Sequence, residues 1–167
     1  MGELTPSEKL QPSLLDRLTD DERSSRVEGR DKRVMSMKQL RAAVLRDLSW
    51  LLNTSAAPAR DEVYEFPLAS GSVVNFGLPD ATGLSSSGLS LGEMESRMRT
   101  AIERFEPRIV TRSLNVRADL NEGNQRSPSL IGFEISGEFC PLPVPESLFV
   151  KTEMDLETGS FEVGKGG

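Results

Sequence analysis

The sequence predicts an α+β domain in which amphipathic helices pack on a small, mostly antiparallel sheet gathered toward the C-terminus. Three observations carry this. Two capping boxes, Ser36 with Gln39 and Ser90 with Glu93, each open a run of apolar residues at helical spacing. Beyond Pro107 the apolar period changes from that of a helix to the alternation of a strand. Gly, Pro, Asn and Ser collect between the periodic stretches, where the chain must turn.

Residues 1–35 read as a flexible charged arm, as in Asp16-Arg17-Leu18-Thr19-Asp20-Asp21-Glu22-Arg23. Within it Leu14, Leu15 and Leu18 follow Ser13 at the spacing of one helical turn, which fits either a short docking helix or a solvated arm. A single domain then spans 36–163, with a disordered tail at 164–167. Behind Ser36, Leu40, Val44, Leu48 and Leu51 recur on one face, with Leu45 and Leu52 beside them and Lys38, Arg41, Arg46 and Asp47 opposite. This predicts a helix over 37–53. Glu62–Phe66 and Ser72–Phe76 read as two short β-like pieces separated by Pro67 and a Ser70-Gly71 turn. Gly77-Leu78-Pro79-Asp80 is a turn, and Gly83–Ser90 an exposed loop. Met94, Met98, Ile102 and Phe105 define the second long helix, which Pro107 stops by disfavouring the α conformation at Glu106.

Three strands follow. Val110, Leu114 and Val116 alternate in the first, where Arg112 falls awkwardly on the apolar face. Ile131, Phe133, Ile135 and Phe139 alternate in the second, and Leu148, Val150, Met154 and Leu156 in the third. Asn121–Ser129 and Pro141–Pro145 link them, and Glu157-Thr158-Gly159-Ser160 closes a hairpin onto an edge strand at Phe161–Val163.

Composition narrows the chemistry. The 167 residues contain no histidine and one cysteine, Cys140, which removes Ser-His-Asp and Cys-His nucleophiles, disulfides and multi-cysteine zinc sites. No cofactor or metal is expected, and Cys140 reads as a small buried hydrophobe. No stretch approaches the ~20 apolar residues of a membrane span, and Met1–Pro6 lacks a secretory signal pattern, so a cytoplasmic location is expected. The net charge of −6 argues against nucleic acid as partner. Trp50 reads as half-buried beside its leucine neighbours. Arg97, Arg99, Arg104, Arg108, Arg112 and Arg117 form a basic run, either a solvated face or a contact for an acidic partner. Taken alone, Glu106-Pro107-Arg108 reads as a helix stop, with Arg108 answering the helix dipole and Glu106 solvated.

Several pieces together resemble the lysozyme-like wedge proteins of contractile tails, and within them the TssE subunits of type VI secretion baseplates. They are Leu14-Leu15-Asp16-Arg17-Leu18; the helix holding Leu45-Arg46-Asp47-Leu48-Ser49-Trp50-Leu51-Leu52-Asn53-Thr54; Ser72 to Asp80; Ile102 to Ile109 with its Glu-Pro-Arg signature; and Met154 to Gly159. In the family's order they cover most of residues 14–160. The resemblance implies a structural component, not an enzyme, that joins the wedge to the contractile sheath and helps to start sheath assembly in the membrane-docked apparatus. It implies Glu106, Pro107 and Arg108 as partner-binding residues, TssF, TssG and TssK as baseplate partners, and sheath subunits TssB and TssC joining through the C-terminal sheet edge.

Two other readings stay open from the residues: a soluble α+β adaptor that regulates another protein, and a peptidoglycan hydrolase using Glu103 and Glu106. The hydrolase needs two carboxyls flanking a cleft, and 5% aromatic residues leave little for a sugar-stacking surface.

Overall fold

Ser36 caps the first long helix as its sequence requires: the Gln39 amide donates to Ser36 Oγ at 3.3 Å and the Ser36 amide to Gln39 Oε1 at 2.9 Å. The computed structural model describes residues 12–19, 35–58, 61–79, 91–119, 129–139 and 146–164. Along these run α1 (Leu14–Leu18), α2 (Met37–Leu52), α3 (Pro67–Ser70), α4 (Leu91–Phe105), β1 (Asn115–Asp119), β2 (Leu130–Glu138), β3 (Ser147–Asp155) and β4 (Phe161–Val163). The strands form one antiparallel sheet in the order β1-β2-β3-β4. The Ser90 cap, Cys140 and the residues after 164 lie outside the described residues, as do most of the arm and of the predicted loops.

α2 buries Leu40, Ala43, Val44, Leu48, Leu51 and Leu52, and α4 buries Met94, Met98, Ala101 and Ile102. They meet Val116, Phe133, Ile135, Leu148, Val150 and Met154 of the sheet in a single core. Each such large side chain contributes about 1.5–3 kcal/mol on burial. The helix-surface pairs Arg97–Glu93 and Arg99–Glu103 give only ~0.3–0.5 kcal/mol each. Burial therefore holds the helices on the sheet. Thr152 occupies a core position with its hydroxyl satisfied, donating to the Glu162 carbonyl at 2.9 Å.

Two expectations are corrected. The stretches 62–66 and 72–76 are not strands: Glu62–Glu65 and Val73–Asn75 are 3-10 turns flanking α3. Local polar side chains win over β propensity there. Asp61 Oδ1 accepts the Val63 amide at 2.9 Å, Ser72 Oγ accepts the Val74 amide at 3.3 Å, and Pro67 begins α3, where its missing amide costs nothing. Buried Asn75 closes the cap, accepting from the Ala57 amide at 2.9 Å and donating to the Ser70 carbonyl at 3.1 Å.

The first strand starts at Asn115 rather than Val110, because Thr111–Ser113 is a 3-10 turn. That turn swings Arg112 into solvent and explains why it broke the alternation. Val110 still donates to the Glu138 carbonyl at 2.8 Å, and Ile109 bridges Phe139, so the segment stays beside β2.

Gly77 ties this region to the end of α2. Leu78 donates to the Thr54 carbonyl at 2.8 Å and Ala56 to the Leu78 carbonyl at 2.7 Å, with Gly77 at φ 125° between them. A Cβ there would lie 2.2 Å from Thr54 O, so only glycine fits.

Candidate functional site

Pro107 ends α4, and the chain turns so that Glu106 is buried, only 3% exposed. Its expected solvated position is thereby corrected. The cause is Arg108, which folds back to donate its main-chain amide at 3.1 Å and Nε at 2.7 Å to Glu106 Oε1, and Nη2 at 2.5 Å to Oε2. A carboxylate with three charge-assisted or backbone donors tolerates burial. Pro107 is left exposed at the tip.

The corner is the end of a longer ladder. Arg108 Nη2 also reaches Asp47 Oδ2 on α2 at 2.6 Å; Arg46 Nε donates to Asp47 Oδ1 at 2.8 Å, and Arg46 Nη1 to Asp16 Oδ1 on α1 at 2.7 Å. The Arg46 guanidinium also lies over the Trp50 ring, 5.1 Å from its centroid. Burial pulls the Arg108 pKa down, but Glu106 and then Asp47 outweigh it and raise it above the ordinary arginine value. Burial likewise lowers that of Arg46, and Asp16 and Asp47 raise it further. For Asp16, burial raises the pKa while Ser13 and Arg46 lower it more, leaving it below the usual aspartate value.

α1 thus docks through its charge. Ser13 and Asp16 form another capping box, while Leu14 and Leu18 stand 72% and 73% exposed. Leu15, Trp50, Leu51, Phe76, Phe105 and Pro107 border a mainly apolar groove of about 550 Å³ beside the corner. Phe76 and Phe105 meet edge-on there, with ring centroids 5.2 Å apart.

Because the pKa of Asp16 is depressed in the folded protein, its contribution is fully present above the ordinary value of about 3.9 and is lost as pH falls through the lower folded value. A partly exposed pair of this kind contributes only ~0.2–1 kcal/mol. α1 is therefore expected to undock below about pH 4, reported by fluorescence of Trp50, the single tryptophan. Asp16→Asn should move the signal toward the undocked value already at neutral pH and remove that titration.

The sheet edges are also covered by side chains from the helices. Asn53 pairs with both backbone groups of Phe161 in β4, accepting from its amide and donating to its carbonyl at 2.9 Å each. Glu95 Oε1 accepts the Ala118 amide of β1 at 2.7 Å, and Arg41 Nη2 lies 3.4 Å from the Phe149 carbonyl, in the part of β3 that the short β4 does not pair with. These contacts imitate a neighbouring strand at single positions and blunt the edges. Asn53→Ala is expected to cost about 1–3 kcal/mol by leaving the β4 backbone unsatisfied, with faster hydrogen exchange at the Phe161 amide as its signature.

The basic run does not form one patch. Arg97 and Arg99 pair along α4, Arg104 Nη1 donates to the Ser70 carbonyl at 2.9 Å, and Arg108 serves the corner. Only Arg112 and Arg117 of the six are left outside those contacts, both exposed. Glu103 binds Arg99 and Glu106 binds Arg108, so the two carboxylates do not face each other across a cleft. Spacing alone missed Asp16, Asp47, Asn53 and Glu95, since each acts through a partner distant in sequence. Among the described residues no helix is long and apolar enough to cross a membrane, and no cluster of acidic or sulfur ligands could hold a metal.

The profile of the family described as Baseplate wedge protein gp25 matches residues 38–140, from α2 through β2. No curated protein and no solved structure matched.

Proposed function

This chain belongs to the baseplate wedge protein gp25 family, structural components of the baseplates of contractile tail-like machines, and we propose that it is the TssE-type subunit of a type VI secretion baseplate. The motifs outside the matched stretch, Leu14 to Leu18 and Met154 to Gly159, support the finer assignment by their likeness to that group. The observation that carries a docking role is the Glu106-Pro107-Arg108 corner. A proline-tipped turn, braced by a buried carboxylate and anchored to α2 through Asp47, is preorganised and loses little freedom on binding. Pro107 and the partly exposed Arg108 present it next to an apolar groove.

On this reading the corner and groove meet the wedge proteins TssF and TssG, with TssK as a further baseplate partner. TssB and TssC of the first sheath ring join at the C-terminal edge by strand addition. Joining at β4 requires Asn53 to give up Phe161, so the incoming strand replaces two hydrogen bonds already made. The protein acts by shape and carries out no reaction.

Affinity capture of the tagged chain from its source cells, followed by mass spectrometry, tests the assignment. Recovery of TssF, TssG and sheath subunits together is expected. Recovery of phage tail proteins instead would keep the family role and overturn the secretion-system assignment.

A further inference from the structure

The cap formed by residues 61–76 carries apolar side chains that the fold does not use. Phe66, Leu68, Val73 and Val74 are 60%, 92%, 80% and 80% exposed. Single exposed hydrophobes are ordinary on protein surfaces. Four large ones within nine residues, on one small folded unit, are a different matter. The unit is also rigidly held: Asn75 clamps it from inside, the Tyr64 hydroxyl donates to the Ala57 carbonyl at 2.9 Å, and Arg104 grips the Ser70 carbonyl at 2.9 Å. Within the stretch from Ser72 to Leu78, the fold consumes Asn75, Gly77 and Leu78, and turns Val73 and Val74 outward.

Charge decides what meets these side chains. Asp61, Glu62 and Glu65 are all exposed in the turn that leads into it. Two copies meeting through the cap would bring those carboxylates against one another, and an anionic bilayer would repel them. A protein whose apolar contact is bordered by lysine or arginine would be attracted and oriented.

We infer that the exposed stretch of the cap from Phe66 to Val74 is a second docking surface, distinct from the Glu106-Pro107-Arg108 corner and from the groove that Phe76 lines, for a different protein with an apolar face rimmed by basic residues. Burying Phe66, Leu68, Val73 and Val74 supplies the contact, and the acidic turn sets its orientation. The inference does not depend on the secretion-system assignment. A cap partner from outside any baseplate would leave this surface standing and count against that assignment.

The test places a photoreactive benzoylphenylalanine at Val74, and separately at Val73, in the full chain expressed in its source cells, with the cross-linked peptides mapped after irradiation. Both positions are exposed, so thermal unfolding should match the wild type. The expected result is a cross-link to one other protein, at a segment combining apolar residues with Lys or Arg. Leu68→Glu should reduce its yield about tenfold or more, and Glu62→Lys with Glu65→Lys should reduce it as well, none of them changing the melting temperature. Cross-links only to lipid, to a second copy or within the chain would overturn the inference, and so would an unchanged yield in Leu68→Glu.

Discussion

Replacing Arg108 with alanine is expected to lower stability by about 3 kcal/mol, more than replacing its partner Glu106. The asymmetry follows from burial. Glu106 is 3% exposed beneath Arg108, and without that side chain its carboxylate loses both guanidinium contacts in a largely buried position. Without Glu106, the Arg108 guanidinium keeps Asp47 and is 22% exposed, so water compensates in part and the loss is about 1–2 kcal/mol. The double alanine variant should therefore lose less than the sum of the two. Urea unfolding of the three variants measures this, and a larger loss for Glu106→Ala than for Arg108→Ala would show that the corner is braced some other way. Because the corner also holds the fold together, an alanine at Arg108 reports on docking only if the variant is first shown to be folded.

Gly77→Ala should be as damaging, by about 3 kcal/mol or more, because it adds a steric clash to a backbone region that itself costs of order 1–3 kcal/mol. The methyl would press on the Thr54 carbonyl, which is fixed by its own bond to the Leu78 amide, so relief requires breaking the bridge between 54–56 and 78. A fall in melting temperature of about 10 °C or more is expected. Gly92→Ala is the control: nothing lies within 4 Å of its Cβ position and it sits in the first turn of α4, so that change should be neutral or stabilising by up to ~1 kcal/mol. Equal losses at both glycines would contradict the close approach at Gly77.

The long elements were legible because their apolar period is set by burial against one core. The Ser36–Gln39 box and the Leu40 to Leu51 stripe place α2 within a residue of its observed end, and the alternation over 131–139 and 148–156 places β2 and β3 within a residue of theirs. The cap was misread because Val63, Val73 and Val74 are β-branched and invite a strand assignment, whereas the outcome was decided by Asp61 and Ser72 accepting amides two residues on. Strand propensity describes fit to a pleated surface, and among the described residues no neighbouring strand lies there. At the site, Glu106-Pro107-Arg108 stood out from sequence as a corner, but its brace did not. Arg46 and Asp47 looked like an ordinary polar helix face, and only the packing of α1, α2 and the end of α4 brings Asp16, Asp47 and Arg108 into one ladder. Asn53 likewise read as the residue where a helix runs down, although it also serves as a one-residue neighbour to β4.

Hydrogen exchange of this chain, alone and mixed with a purified TssF–TssG complex, probes the anchoring corner without any substitution in a region that also holds the fold together. Slowed exchange is expected over residues 105–110 and along the groove at Leu51 and Phe76, with little change in β2. Binding that leaves residues 105–110 unprotected would contradict the assignment of Glu106, Pro107 and Arg108 as the anchor, and the absence of any binding would contradict the TssE-type role itself.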